Sequence, residues 1–236
     1  MSIFARIGDF LATTSNGALS AVVEGVRRVF AGDPETRRRV AFSVAMIALS
    51  AKMAKADGIV TPSEVMAFEQ IFSVPDDERR NVERLYALAQ GDTAGFDAYA
   101  RQLAGLCADG VAACPILEDV MDGLFHVAKA DGAIHDRELE FLRSVASIFG
   151  FDEVRFGRIL ARHALKPGSD PWAVLGIGRD EPLEIVRKRY RELVRENHPD
   201  RLIAHGLPAE FLAIAHDRIA AINEAWSTIE RMMKRA

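Results

Sequence analysis

The sequence predicts an all-α protein, and three observations carry that prediction. Apolar residues recur at steps of three and four in nearly every segment, strand-like alternation is almost absent, and helix-capping residues punctuate the chain. With 236 residues, 49% hydrophobic and 27% charged, the chain suits one or two folded domains with a real core.

Residues 1–34 form the first unit, an amphipathic helical segment. Ile3, Phe4, Ile7, Phe10 and Leu11 share one helical face, and Val22, Val23, Val26, Val29 and Phe30 repeat the spacing. Two roles stay open: packing against the body of the protein, or peripheral contact of residues 1–30 with a membrane or partner. The scarcity of basic residues on the polar faces weighs against the second.

Residues 35–162 make a larger helical block with an internal echo. "AKADGIVTPSEVMAFEQIF" at 54–72 realigns with "AKADGAIHDRELEFLRSVA" at 128–146, which puts Asp57 on Asp131 and Glu64 on Glu138. Two copies imply a helical hairpin used twice. Local chemistry accounts for much of the repeat: Gly58 and Gly132 suit left-handed helix ends, and Thr61-Pro62-Ser63-Glu64 is a capping box with proline at the first helical position. Asp57, Glu64, Asp131 and Glu138 are also a candidate divalent-cation set. An EF-hand is excluded, since Gly58, Ile59 and Val60 offer no side-chain oxygen where such a loop needs one.

Cys107 and Cys114 match neither a Cys-x-x-Cys redox pair nor a four-ligand zinc pattern. They are expected to be buried thiols of a reducing compartment, with a metal site borrowing His126 as the remote alternative. Charge interrupts every apolar run well short of the roughly 18–20 residues that span a bilayer, and the start lacks a signal-peptide pattern. The expected location is cytoplasmic, with association to the inner face of the membrane left open. A net charge of -4 argues against a nucleic-acid partner, so electrostatic recognition must be local.

"HALKPGSDP" punctuates the chain, and 163–170 reads as a linker to a final unit at 171–236. There Asp170 caps a short helix that opens with Pro171 and ends near Gly176. A second helix runs from about Pro182 to Asn197, burying Leu183, Val186, Tyr190, Leu193 and Val194. Arg187, Lys188, Arg191 and Arg195 fall on its outer face as one basic stripe. Phe211, Ala215, Ile219, Ile222, Trp226, Ile229 and Met233 form the apolar seam of a long last helix. The two helices are expected to pack as an antiparallel hairpin with His198, Pro199 and Asp200 at its exposed tip. A tip has no water-excluding pocket for a catalytic pair, whereas Pro199 stiffens it for recognition.

The paired "AKADG…E" hairpins resemble the TerB-like domain of tellurite-resistance proteins, over roughly 35–160. That resemblance implies an all-helical module, and the suspicion of metal binding attached to that family falls here on Asp57, Glu64, Asp131 and Glu138. "DPWAVLGI" at 170–177, "IVRKRYRELVRENHPDR" at 185–201 and "AAINEAWSTI" at 220–229 resemble the J domain of DnaJ-type co-chaperones. This second resemblance implies a DnaK-type heat-shock chaperone as partner. His198, Pro199 and Asp200 would engage that chaperone, and Arg187, Lys188, Arg191 and Arg195 would meet an acidic surface on it.

The chain departs from the J-domain pattern at Asn197, where the family usually carries an aromatic, and at Arg201, where it carries lysine. "LIAHGLP" lengthens the connection to the last helix, and residues 1–236 hold neither a glycine/phenylalanine-rich nor a cysteine-rich zinc region, so general unfolded-substrate binding is not expected. A TerB-like module before a J domain resembles the arrangement of DjlA-like co-chaperones of bacterial inner membranes; that family begins with a spanning segment, and residues 1–30 are not expected to be one, which leaves peripheral association or a soluble relative.

The expected function is therefore co-chaperone rather than enzyme, stimulating a partner's ATP hydrolysis and using no cofactor of its own. The TerB-like domain would confer client or location specificity, with the client unknown. The alternative is a stress- or metal-responsive binding module that uses the J domain only for docking.

Overall fold

In the computed structural model, the described residues are 34–56, 79–91, 95–105, 107, 114–130, 132–163, 170–204 and 212–234. Every regular element among them is a helix. In chain order these are α1 (Pro34–Ala56), α2 (Arg79–Gly91), α3 (Phe96–Ala104), α4 (Pro115–Ala128), α5 (Asp136–Ile148), α6 (Glu153–His163), α7 (Pro171–Leu175), α8 (Leu183–Glu196), α9 (Pro199–Ala204) and α10 (Leu212–Met233). The amphipathic segment at 1–30 and the first copy of the repeat, with Asp57, Gly58 and Glu64, lie outside the described residues, as does Asp131.

Two apolar clusters organise the described residues. The larger is built around α1, which buries Phe42, Met46, Ile47, Leu49 and Met53 on all sides, so other helices must surround it. α2, α3, α4 and α5 do so. Phe125 of α4 is fully buried there, its ring 5.7 Å from Phe156 and stacked at 5.3 Å on His163. The smaller cluster joins Val174 and Leu175 of α7, Val186 and Leu193 of α8, and Ile222, Ala225 and Ile229 of α10.

Local chemistry behaves as expected where it can be followed. Asp170 accepts from the Trp172 amide, Pro171 opens α7, and Gly176 closes it at φ 68° in the left-handed region. Gly132 has φ 96°, and Glu138 turns back to accept from the His135 amide at 2.8 Å, closing the start of α5.

Two expectations change. Cys107 and Cys114 are not free thiols but a disulfide, with Cα atoms 5.7 Å apart. Neither spacing rule covers two cysteines seven positions apart, one just after α3 and the other at the start of α4, and closing so small a loop is entropically cheap. A disulfide needs an oxidising environment to form, so the reducing-compartment inference loses its support. His126 accordingly pairs with Asp217 at 3.2 Å rather than with a cysteine-bound metal.

The seam of α10 is also rotated. Ile214, Ala215, Arg218, Ile222, Ala225 and Ile229 are buried, while Ile219, Trp226 and Met233 are half-buried. The reason is that α10 serves both clusters: Ile214 and Ala215 belong to the larger and the later residues to the smaller. The tip of the hairpin is anchored on one side by a contact that the sequence alone does not show. Leu202, just past the tripeptide, is 1% exposed and packs into the larger cluster. Among the described residues no helix is long and apolar enough to cross a membrane.

Phe125→Ala removes a ring that α4 and α6 share, and should cost about 3–5 kcal/mol. Urea unfolding followed by circular dichroism measures it, and a loss below about 1 kcal/mol would contradict this account of the core.

Candidate partner-binding site

The tripeptide sits between two helices, and hydrogen bonds define both sides of it. α8 ends at Asn197, whose Nδ2 donates to the Leu193 carbonyl at 2.7 Å. The His198 carbonyl then accepts from the amides of Arg201 at 3.0 Å and Leu202 at 3.1 Å, which starts α9. Pro199 opens that helix at the position where a missing N–H costs nothing.

The Asp200 amide donates to His198 Nδ1 at 3.3 Å, a bond that needs the Nε2–H tautomer. His198 and Asp200 side chains are 55% and 89% exposed. Backbone order and side-chain exposure therefore coincide, as display to a partner requires.

The basic stripe is present with one modification. Lys188, Arg191 and Arg195 are exposed, whereas Arg187 is half-buried and lays its guanidinium 5.8 Å from the centre of the Trp226 ring. Trp226 also stacks on Tyr190 at 5.1 Å, and Tyr190 Oη donates to Asn223 at 3.0 Å, which fixes α8 against α10. The cations rest on a rigid hairpin.

Behind this surface lies a buried charge cluster that the sequence reading missed. α4 contributes Glu118, Asp119 and Asp122; α6 contributes Arg155, Arg158, Arg162 and His163; α10 contributes Arg218. Arg218, 4% exposed, donates through Nε to Asp122, through Nη2 to Asp119 at 2.7 Å, and through Nη1 to Asn197 Oδ1 at 2.8 Å. Arg162 spans Glu118 at 2.9 Å and Asp122 at 3.1 Å, and His163 Nε2 lies 2.8 Å from Asp122.

Burial alone would raise the Glu118 carboxyl, but Arg162, Arg218 and Arg158 outweigh it and hold it at about 2. Burial likewise opposes ionisation of Asp122, and Arg162, Arg218 and His163 overcome it, leaving Asp122 well below the ordinary range. At Asp119 burial wins over Arg218 and raises the carboxyl to about 6. His163 is lowered by burial against the pull of Asp122. The signal for Arg218 was available: it falls four residues from both Ile214 and Ile222, a charge set in an apolar stripe.

Of the four candidate metal ligands, Glu138 is 3% exposed and committed to capping α5. Asp57, Glu64 and Asp131 lie outside the described residues. Among the described residues no group of three or more His, Cys, Asp or Glu side chains is arranged to hold a metal ion.

Comparison with known proteins adds two findings. The family model of the tellurite resistance protein TerB matches residues 43–161. Relatives include the co-chaperone protein DjlA of Photobacterium profundum, 26% identical over 220 residues that cover 82% of this chain and 78% of that protein. DjlA of Salmonella typhimurium is 22% identical over 221 residues, covering 83% and 81%, and DjlA of Escherichia coli is 20% identical over 223 residues, covering 84% and 81%. No solved structure matches.

Glu118 generates a pH prediction. Its folded value, about 2, lies below its ordinary 4.5, so the stability it contributes is complete above pH 4.5 and disappears as pH falls towards 2. Glu118→Gln should be less stable than the native protein at pH 7, and the gap in urea midpoint should close across that window. A gap that persists unchanged at pH 2.5 would contradict the assignment.

Proposed function

The chain belongs to the TerB family and is related along most of its length to DjlA co-chaperones, and from that premise we propose that it activates a DnaK-type chaperone. In this reading residues 171–236 act as a J domain. His198, Pro199 and Asp200 press on the partner, while Lys188, Arg191, Arg195 and the half-buried Arg187 meet an acidic surface on it. Residues 35–162 select client or location, and 1–34 form a separate amphipathic segment.

One observation carries the proposal above all: the tripeptide exposes the side chains of His198 and Asp200 while its backbone is held by hydrogen bonds on both sides. A group ordered before contact loses little entropy on binding, so contact energy is available to bias the partner. The cationic stripe supplies encounter rate and register, because complementary charge steers association more than it sets final affinity. ATP chemistry belongs to the partner; this chain's part is a differential contact with one state of that ATPase.

Steady-state ATP turnover by the cognate chaperone tests this. The native protein should raise turnover several-fold, and His198→Gln should abolish the rise. The triple variant with Lys188, Arg191 and Arg195 changed to Glu should raise the half-saturating concentration about tenfold or more at low salt and less at 0.5 M. Native protein without effect on turnover would refute the reading.

A further inference from the structure

Asn197 stands where J-domain sequences usually carry an aromatic, and in this fold the position is not an idle substitution. Its Oδ1 accepts from Arg218 Nη1 at 2.8 Å, and its Nδ2 caps α8 on Leu193. Arg218 is held in turn by Asp119 and Asp122 of α4. Three links thus connect the residue before His198 to the TerB-family body.

A second connection runs from the other side of the tripeptide. Leu202 of α9 is 1% exposed and lies in the cluster built around α1 and α4, together with Ile214 and Ala215 of α10. α4 packs tightly at Gly123, where an added Cβ would fall 2.7 Å from Met46 Cε and 3.0 Å from Ile214 Cδ1. His126 and Asp217 add a third tie at 3.2 Å. The tripeptide is therefore fastened upstream by a polar link and downstream by an apolar one, with only its side chains left outside.

The geometry points to Arg218 as a positioning residue for partner activation: through Asn197 it clamps the His198-Pro199-Asp200 corner to the acidic face of α4. This rests on the co-chaperone reading above and deepens it. The TerB-family body becomes part of the activating device, since it fixes the orientation in which the corner is presented. Arg218 itself touches no partner; it acts by denying Asn197, and so the end of α8, alternative positions. Arginine suits the task because its planar fork serves Asp122, Asp119 and Asn197 at once, which a lysine ammonium on one flexible stem does not.

The test uses the full chain with Asn197→Ala, Asn197→Asp and Arg218→Lys. Asn197→Ala removes the acceptor for Arg218 together with the α8 cap, whereas Asn197→Asp loses the cap donor but keeps the acceptor. Arg218→Lys retains a charge for the two carboxylates and loses the fork.

Two readouts are taken: chaperone ATPase resolved into maximal stimulation and half-saturating concentration, and hydrogen exchange at the amides of Arg201 and Leu202. For Asn197→Ala and Arg218→Lys, maximal stimulation should fall at least threefold with half-saturation within twofold of native. Exchange at the two amides should quicken tenfold or more while α4 amides stay protected. Asn197→Asp should keep most of the stimulation.

Equal losses in Asn197→Ala and Asn197→Asp would reduce the effect to helix capping and overturn the clamp. Unchanged exchange in Asn197→Ala would also overturn it, and so would increased stimulation, which would mean that the contact restrains the corner. If Arg218→Lys fails to fold, the two Asn197 variants still decide. If even the native protein leaves turnover unchanged, the parent reading fails, while the exchange result still judges the clamp by itself.

Discussion

A single guanidinium, that of Arg218, is the constraint on which the arrangement turns. It is 4% exposed, and a buried charge without partners would cost several kcal/mol. Asp119 and Asp122 are each 1% exposed and carry the same liability in the opposite sign. None of the three can leave the others cheaply, so the first half of α10 must stay on α4. Ile214 and Ala215 then fall into the larger cluster and Ile222, Ala225 and Ile229 into the smaller, and one helix becomes the shared wall of both.

From that wall the geometry of the corner follows. α8 is held to α10 by the stacked Tyr190 and Trp226 and by the bond from Tyr190 to Asn223. With α8 fixed, its end at Asn197 is brought against Arg218, and α9 turns Leu202 inward. The exposed cations lie on the hairpin and the paired ones behind it, so an overall charge of -4 coexists with a locally basic face. Screening confines an exposed charge to about 8–10 Å at ordinary salt. Local arrangement, not net charge, is what a partner meets.

Features governed by neighbours in the chain were legible from the sequence. The all-helical class, the Asp170 cap, the left-handed Gly132, the helix end at Gly176, the α8 boundaries and the exposure of His198 and Asp200 all follow from residues within one or two turns. Features set by tertiary contact were not. The disulfide depends on how α3 and α4 place Cys107 and Cys114, and the rotation of the α10 seam needs knowledge that two clusters share that helix. Arg187 reads as a stripe member until Trp226 is seen beside it. Asn197 was visible as a departure from a pattern, yet its role depends on an arginine 21 positions away that periodicity counts as a break in a seam.

Why a charge cluster rather than apolar packing holds this junction is a question of specificity. Replacing a buried ion network by hydrophobic residues of similar volume is often neutral or stabilising, so stability alone does not require the cluster. Apolar surfaces, however, tolerate sliding, because burial is non-directional and roughly proportional to area. A guanidinium satisfied in one plane by Asp119, Asp122 and Asn197 is directional in three places at once. A slip of α10 by one turn along α4 would strand two carboxylates and a guanidinium in the interior, a penalty of several kcal/mol that no apolar seam would impose. The same penalty fixes where α8 ends, so the interior charges set the direction in which the outer ones face.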